Sequence, residues 1–237
     1  GPKVELFETR FKERIFPEGF SIATGSGTDS LHLAYILSGI SPGDEVITPV
    51  FTCTATNIPL LYIGAKPVFA DIDPATLNIN IDDIESRITD KTKAIVAVDY
   101  GGTPAHYSEL NRICEQYKLT LISDAAQSIG SIYKGRNAAS FADFTAYSFQ
   151  GIKTITTGDG GMLAIKDHQL LEKAKRLRWF GIDRQSKQKG TWDNDIYEVG
   201  YKYQLTDVAA SLGLANLSHL DELLDHRRKL LDLYLEN

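Results

Sequence analysis

Short apolar runs alternate with helical patterns along most of this chain, and that alternation restricts the fold more than any other feature. Glu45–Thr48, Pro67–Ala70, Ala94–Val98, Leu119–Ser123, Phe144–Phe149 and Gly161–Ile165 are β-rich, and several are apolar without a polar face. Such strands are covered on both sides. Between them, Leu31, Ala34 and Leu37 recur at helical spacing after Thr28, and Leu110, Ile113, Cys114 and Tyr117 do so ahead of Leu119. Asn80, with Asp83 three residues on, reads as a helix start. The pattern predicts an α/β fold with three layers, a mostly parallel central sheet between helices on both faces.

The tail differs. From Thr206, a fitting N-cap, apolar residues recur at Ala209, Leu212, Ala215, Leu220, Leu223, Leu224, Leu230 and Leu231, and Arg227 is the one polar break. This predicts a long helix, or two in series, almost to Asn237. Residues 1–205 are expected to form one large domain, with 206–237 as a helical end that reads as cut. The start also reads as cut, because Gly1-Pro2 opens directly onto the amphipathic pattern of Glu5–Ile15. The polar stretch Asp183–Glu198 reads as a loop.

Charge and composition exclude several function classes. The net charge of −6, from 25 Lys+Arg against 31 Asp+Glu, gives no general attraction to nucleic acid. The basic cluster Lys173, Lys175, Arg176 and Arg178 reads as a solvated helix face. Cys53 and Cys114 give neither a disulfide framework nor metal-ligand spacing, and the five histidines are scattered, so no metal is expected. No apolar run is long enough to span a membrane, and no signal peptide opens the chain. A reducing cytoplasm is the expected compartment.

Four segments carry candidate chemistry. Gly25-Ser26-Gly27-Thr28 opens a helix, where free backbone N–H groups and the helix dipole suit a phosphate. It is neither a Walker loop nor a G-x-G-x-x-G fingerprint. Asp124, in Ile122-Ser123-Asp124-Ala125-Ala126-Gln127, stands at the carboxyl end of a predicted buried strand, where ligands of open α/β sheets gather. A helix-capping aspartate is the plain alternative. Lys153 lies between the apolar strand Tyr147-Ser148-Phe149 and the glycine-rich turn Gly158-Asp159-Gly160-Gly161. A lysine there can shed its charge by desolvation and act as an amine nucleophile toward a carbonyl. The segment Gly200-Tyr201-Lys202-Tyr203-Gln204-Leu205-Thr206-Asp207 is an aromatic-rich helix entry.

In this order, with Gly43–Pro49 (G-D-E-V-I-T-P) and Pro67–Asp73 (P-V-F-A-D-I-D) between the first two segments, the chain resembles the DegT/DnrJ/EryC1/StrS aminotransferases. The resemblance covers nearly the whole chain and is nearest to the nucleotide-linked 4-keto-sugar members. It implies a fold-type I enzyme using pyridoxal 5′-phosphate (PLP), a homodimer with shared sites, a smaller C-terminal domain beyond 206–237 that is missing, and transfer from an amino acid, glutamate, to a nucleotide-linked keto-sugar. By the same resemblance Lys153 carries the cofactor as a Schiff base and Asp124 faces the pyridine nitrogen. Gln127 lies beside the ring. Gly27, Thr28 and Ser148 hold the phosphate, and Lys202 reaches the phosphate of a partner subunit. Cys53 stands where the family usually places an aromatic residue on the ring. Ser123 replaces a Glu, Asp159 a Glu and Gln150 a His. Related dehydratases carry His in place of the lysine, so Lys153 argues for transfer, and the intact set of Lys153, Asp124, Gln127 and Ser148 argues against a catalytically silent protein.

Overall fold

The structure, a computed structural model, describes residues 1–184, 190, 196 and 198–236. Most of the polar stretch 183–198 therefore lies outside the described residues. Helix α1 (Pro2–Ile15) leads to β1 (Phe20–Thr24), α2 (Gly27–Leu37), β2 (Glu45–Pro49), α3 (Thr54–Tyr62) and β3 (Lys66–Ala70). Then come α4 (Ile81–Ile84), β4 (Thr92–Val98), α5 (Tyr107–Tyr117), β5 (Thr120–Asp124), the small hairpin β6 (Ile132–Tyr133) and β7 (Arg136–Asn137), β8 (Phe144–Ser148) and β9 (Gly161–Ile165). Helices α6 (Leu171–Arg178), α7 (Asp207–Ser218) and α8 (Leu220–Leu235) complete the order.

Seven strands form one sheet in the order β1-β9-β8-β5-β4-β2-β3. β9 runs antiparallel to both of its neighbours, while β8, β5, β4, β2 and β3 are mutually parallel. The strand period sends alternate residues to opposite faces. Ile22, Ala94, Val96 and Ile122 meet Leu33, Ala34 and Tyr35 of α2 on one face. Ala23 and Met162 meet Phe7 and Phe11 of α1 on the other, where Ile95, Ala97 and Leu121 also meet Leu110 and Ile113 of α5. These are the expected three layers, and the unbroken apolar run Ala94–Val98 of β4 is the consequence of both faces of that central strand being covered.

Several local features depart from the sequence reading. β1 is a full strand absent from the sequence reading, and the β6–β7 hairpin and α3 are additional. The tail takes the second of its two expected forms, two helices in series, broken at His219. Ala210 and Leu217 of α7 join Phe7 and Phe11 in one buried cluster, so this part of the tail packs on α1. The basic helix α6 is not simply solvated. Arg178 is largely buried, pairs with Glu8 of α1 and donates to the Ala23 carbonyl, while Ala23 N–H donates to the same Glu8 carboxylate. Together they occupy the outer edge of β1, which would otherwise present unpaired backbone groups.

Candidate active site

The parallel strands β4, β5 and β8 end in register, with Val98 opposite Asp124 and Asp124 opposite Ala146. The N-termini of α2 and α3 open beside these ends, and a cavity of about 430 Å³ lies among them. Gly27, Thr28, Cys53, Asp124, Gln127, Ser148 and Lys153 all line it, so tertiary folding gathers every candidate except Lys202.

Asp124 is buried at the floor. Its Oδ2 accepts a hydrogen bond from Thr56 Oγ1 at 2.7 Å and its Oδ1 accepts from the Ala126 N–H at 3.1 Å. Burial pushes its pKa up, against these two hydrogen bonds and the charge of Lys153. Thr56 is itself fixed from both sides: its Oγ1 shares a hydrogen bond with Thr52 Oγ1 at 2.7 Å, and its carbonyl accepts from the buried Tyr35 hydroxyl at 2.7 Å. Sequence reasoning missed Thr56, because a threonine in the run Thr54-Ala55-Thr56-Asn57 has nothing to mark it until α3 is laid beside β5.

A second buried carboxylate stands behind the first. Asp99 accepts hydrogen bonds from Ala105 N–H, the Tyr107 hydroxyl and the Ser128 hydroxyl at 2.7–2.9 Å. Burial raises its pKa to about 6 despite these donors. Its own N–H donates to the Asp124 carbonyl, and Gly101 N–H donates to Gln127 Oε1. The turn after β4 thus clamps the turn after β5, and the amide of Gln127 is held by its oxygen. Ser123, standing where the resembling family has Glu, shares a 2.6 Å hydrogen bond with Tyr107 and serves the same network.

At α2, the side chain of Ser26 caps the Asp29 N–H, leaving the Gly27 and Thr28 N–H groups without an acceptor among the described residues. Gly27 is required by close approach: a Cβ there would sit 2.8 Å from Ser148 Cβ. The helix start, two free N–H donors and the Ser148 hydroxyl therefore converge at one end of the cavity, as a phosphate requires. Asp29 lies close by, its pKa raised to about 6 by burial and secondarily by Asp159.

Cys53 is the exposed, unpaired N-cap residue of α3, and its neighbour Thr52 also lines the cavity. Lys202 lies elsewhere. It is exposed, forms an isolated antiparallel bridge with Trp179 and holds its Nζ 4.1 Å from the Trp179 ring centroid. The segment around it is tied to the phosphate-type turn through Gly25 N–H to the Tyr203 carbonyl at 2.7 Å. No group of three or more His, Cys, Asp or Glu able to hold a metal occurs among the described residues.

An amine, a buried carboxylate and an anion cradle thus share one cavity. That donor set suits a phosphorylated aldehyde whose ring carries a basic nitrogen, and the residues present fit PLP.

The chain belongs to the DegT/DnrJ/EryC1/StrS aminotransferase family, whose model matches residues 1–237. It is 40% identical over 240 residues to protein MJ1066 of Methanocaldococcus jannaschii, covering 100% of this chain and 62% of that protein. It is 36% identical over 237 residues to the GDP-perosamine synthase of Escherichia coli O157:H7, covering 100% of this chain and 63% of the synthase. Its fold matches the PLP-form of Spr1654 from Streptococcus pneumoniae with a TM-score of 0.93 at 32% identity, over 100% of this chain and 64% of that one. The chain therefore spans rather less than two thirds of the length of these relatives.

Proposed function

We propose that this chain provides the cofactor-binding part of a PLP-dependent aminotransferase that moves an amino group from an amino acid, glutamate, to a nucleotide-linked keto-sugar. The observation that carries the reading is the convergence of Lys153, Asp124 and the free N–H groups of Gly27 and Thr28 on one cavity. Family membership and the GDP-perosamine synthase relative support the sugar acceptor. Residues 1–205 form the cofactor-binding domain in this reading, with 206–237 as its helical continuation. The unpaired cysteines suit the cytoplasm.

When bound, PLP supplies an electron sink for the carbon that bears the migrating amino group. The chain's own residues do the rest. Gly27, Thr28 and Ser148 hold the phosphate by two backbone N–H groups and a hydroxyl. Asp124 holds a proton on the ring nitrogen, and Thr56 and the Ala126 N–H keep its carboxylate aimed. Gln127 lines the cavity with its amide oxygen held by the Gly101 N–H, which leaves the NH2 group as its free donor. Lys153 would hold the cofactor through Nζ, and its amine would move a proton at the reacting carbon. Lys202, outside its own chain's cavity, serves the phosphate of a partner subunit.

The test is covalent mapping. Incubation with PLP and borohydride should label Lys153 alone in the wild type and leave Lys153→Ala unlabelled. A stable adduct at another single lysine, in either protein, rules the assignment out.

A further inference from the structure

Helix α8 lies over the turn that follows Asp124. Its Leu223 and Leu224 pack against the cluster containing Ala125 and Ile129, and Leu224 comes so close to Gly130 that a Cβ there would meet Leu224 Cδ1 at 2.6 Å. One turn further along the same face stands Arg227, the single polar break in the apolar repeat of the tail. That place gives it a distinctive neighbourhood. Arg227 lines a hollow of about 380 Å³ together with Gly101, Gln127, Lys153 and Thr154. This hollow shares Ala126, Gln127, Ile152 and Lys153 with the main cavity and is its antechamber.

The charge there is one-sided. The lining holds two basic side chains, Lys153 and Arg227, and no carboxylate. Among the other charged residues of α8, Arg228 pairs with Asp225, Asp221 with Arg14, and Glu222 with His219. Arg227 has neither an ion pair nor a hydrogen-bond acceptor among the described residues. A guanidinium at the entrance of a cavity, with five donors in a fixed fork, is suited to a carboxylate or a phosphate that accepts two parallel hydrogen bonds.

We propose that Arg227 receives an oxyanion of the substrate at the mouth of the Lys153 cavity. The oxyanion is a carboxylate of the amino-acid donor or the diphosphate of the nucleotide sugar, and the inference rests on the aminotransferase reading above. It explains why a helix otherwise built to cover apolar surface carries arginine at its one position beside the cavity. Arg227 is a substrate-binding residue, distinct from the groups that hold the cofactor.

The experiment uses the PLP-loaded protein and two inert probes, glutarate for the donor and inorganic pyrophosphate for the nucleotide sugar, with affinity read by calorimetry. Arg227→Gln should bind one of them at least about tenfold more weakly, the loss expected for a charge-assisted, two-point contact. The probe affected identifies the source of the oxyanion. Arg227→Lys, which keeps the charge and loses the fork, should fall between. Arg228→Gln should bind both probes as the wild type does. In steady state the KM for the matching substrate should rise more than kcat falls. Labelling of Lys153 by PLP and borohydride should stay unchanged in Arg227→Gln, which separates this inference from the functional reading. Binding of both probes within twofold of wild type overturns it, as does an equal loss in Arg228→Gln, which would mark a general surface-charge effect. A wild-type protein that takes no PLP at Lys153 overturns both.

Discussion

At the residue scale, two buried carboxylates one strand apart are held by different means. Asp124 depends on a hydroxyl from another element. Thr56→Val removes that donor while keeping nearly the same volume, and leaves Asp124 Oδ2 without its 2.7 Å partner. A hydrogen bond to a charged group contributes about 1.5–3 kcal/mol, so PLP should bind about tenfold or more weakly, with Thr56→Ser restoring much of the affinity. Equal affinity in Thr56→Val and wild type, measured by cofactor titration, would show that Thr56 does not aim the carboxylate. Asp99 makes a prediction about pH. Its pKa is raised to about 6 in the folded chain, so the native state keeps its proton where the unfolded chain, near 3.9, has lost it. The sign follows: its stabilising contribution is full below about pH 3.9 and is lost as pH rises through 6, by roughly 3 kcal/mol at most. Asp99→Asn keeps an acceptor for Tyr107 and can donate to the Ser128 oxygen. It should show a flatter stability profile between pH 4 and 6 in denaturant titrations of the apoprotein. An unchanged slope in that window counts against a raised Asp99.

At the element scale, the site depends on how closely α2 approaches the end of β8. Gly27 permits that approach, since a side chain would overlap Ser148 Cβ at 2.8 Å. Gly27→Ala must push the helix start away from the strand or strain Ser148. Overpacking of this kind costs about 1–3 kcal/mol, and the free N–H groups move with the helix. The variant should melt several degrees lower and bind inorganic phosphate and PLP more weakly. Wild-type melting and affinity would show that the gap closes without cost. The same logic applies to the clamp between the turns after β4 and β5. The bonds from Asp99 N–H to the Asp124 carbonyl and from Gly101 N–H to Gln127 join two loops that the chain separates by more than twenty residues.

At the scale of the whole molecule, the unit built from β2, α3 and β3 leaves Val50, Phe51, Leu61, Tyr62 and Phe69 exposed. Exposed apolar surface of this extent suits contact with another subunit. Lys202, resting on Trp179 outside the cavity of its own chain, fits a role across such a contact. The expectation is a symmetric dimer with two shared sites. Lys153→Ala and Lys202→Ala proteins, each impaired alone, should form heterodimers with one intact site on mixing, which recovers part of the PLP-binding capacity. Sedimentation showing a monomer with full PLP affinity would exclude shared sites, and so would mixtures that recover nothing although the subunits exchange.

The layered α/β class follows from the sequence alone, because strands buried on both faces must be apolar throughout, as Ala94–Val98 is, and helices covering them must show a stripe, as Leu110, Ile113 and Cys114 do. Local signatures likewise marked the Gly25–Thr28 turn, Asp124 at a strand end and Lys153 before a glycine-rich turn, while Gln127 and Ser148 came only from the family resemblance. Three things were decided only by tertiary structure. Thr56 meets Asp124 across 68 positions of chain. Arg178 finds Glu8, 170 positions away, so its charge is buried in a pair where its helical pattern suggested solvent. Arg227, a mere interruption in an apolar repeat, is set beside Lys153 by the packing of α8 on Gly130. Local patterns report which face of an element is buried, and they are silent about which distant element covers it. The pairing of polar groups across such contacts therefore emerges only when the layers close.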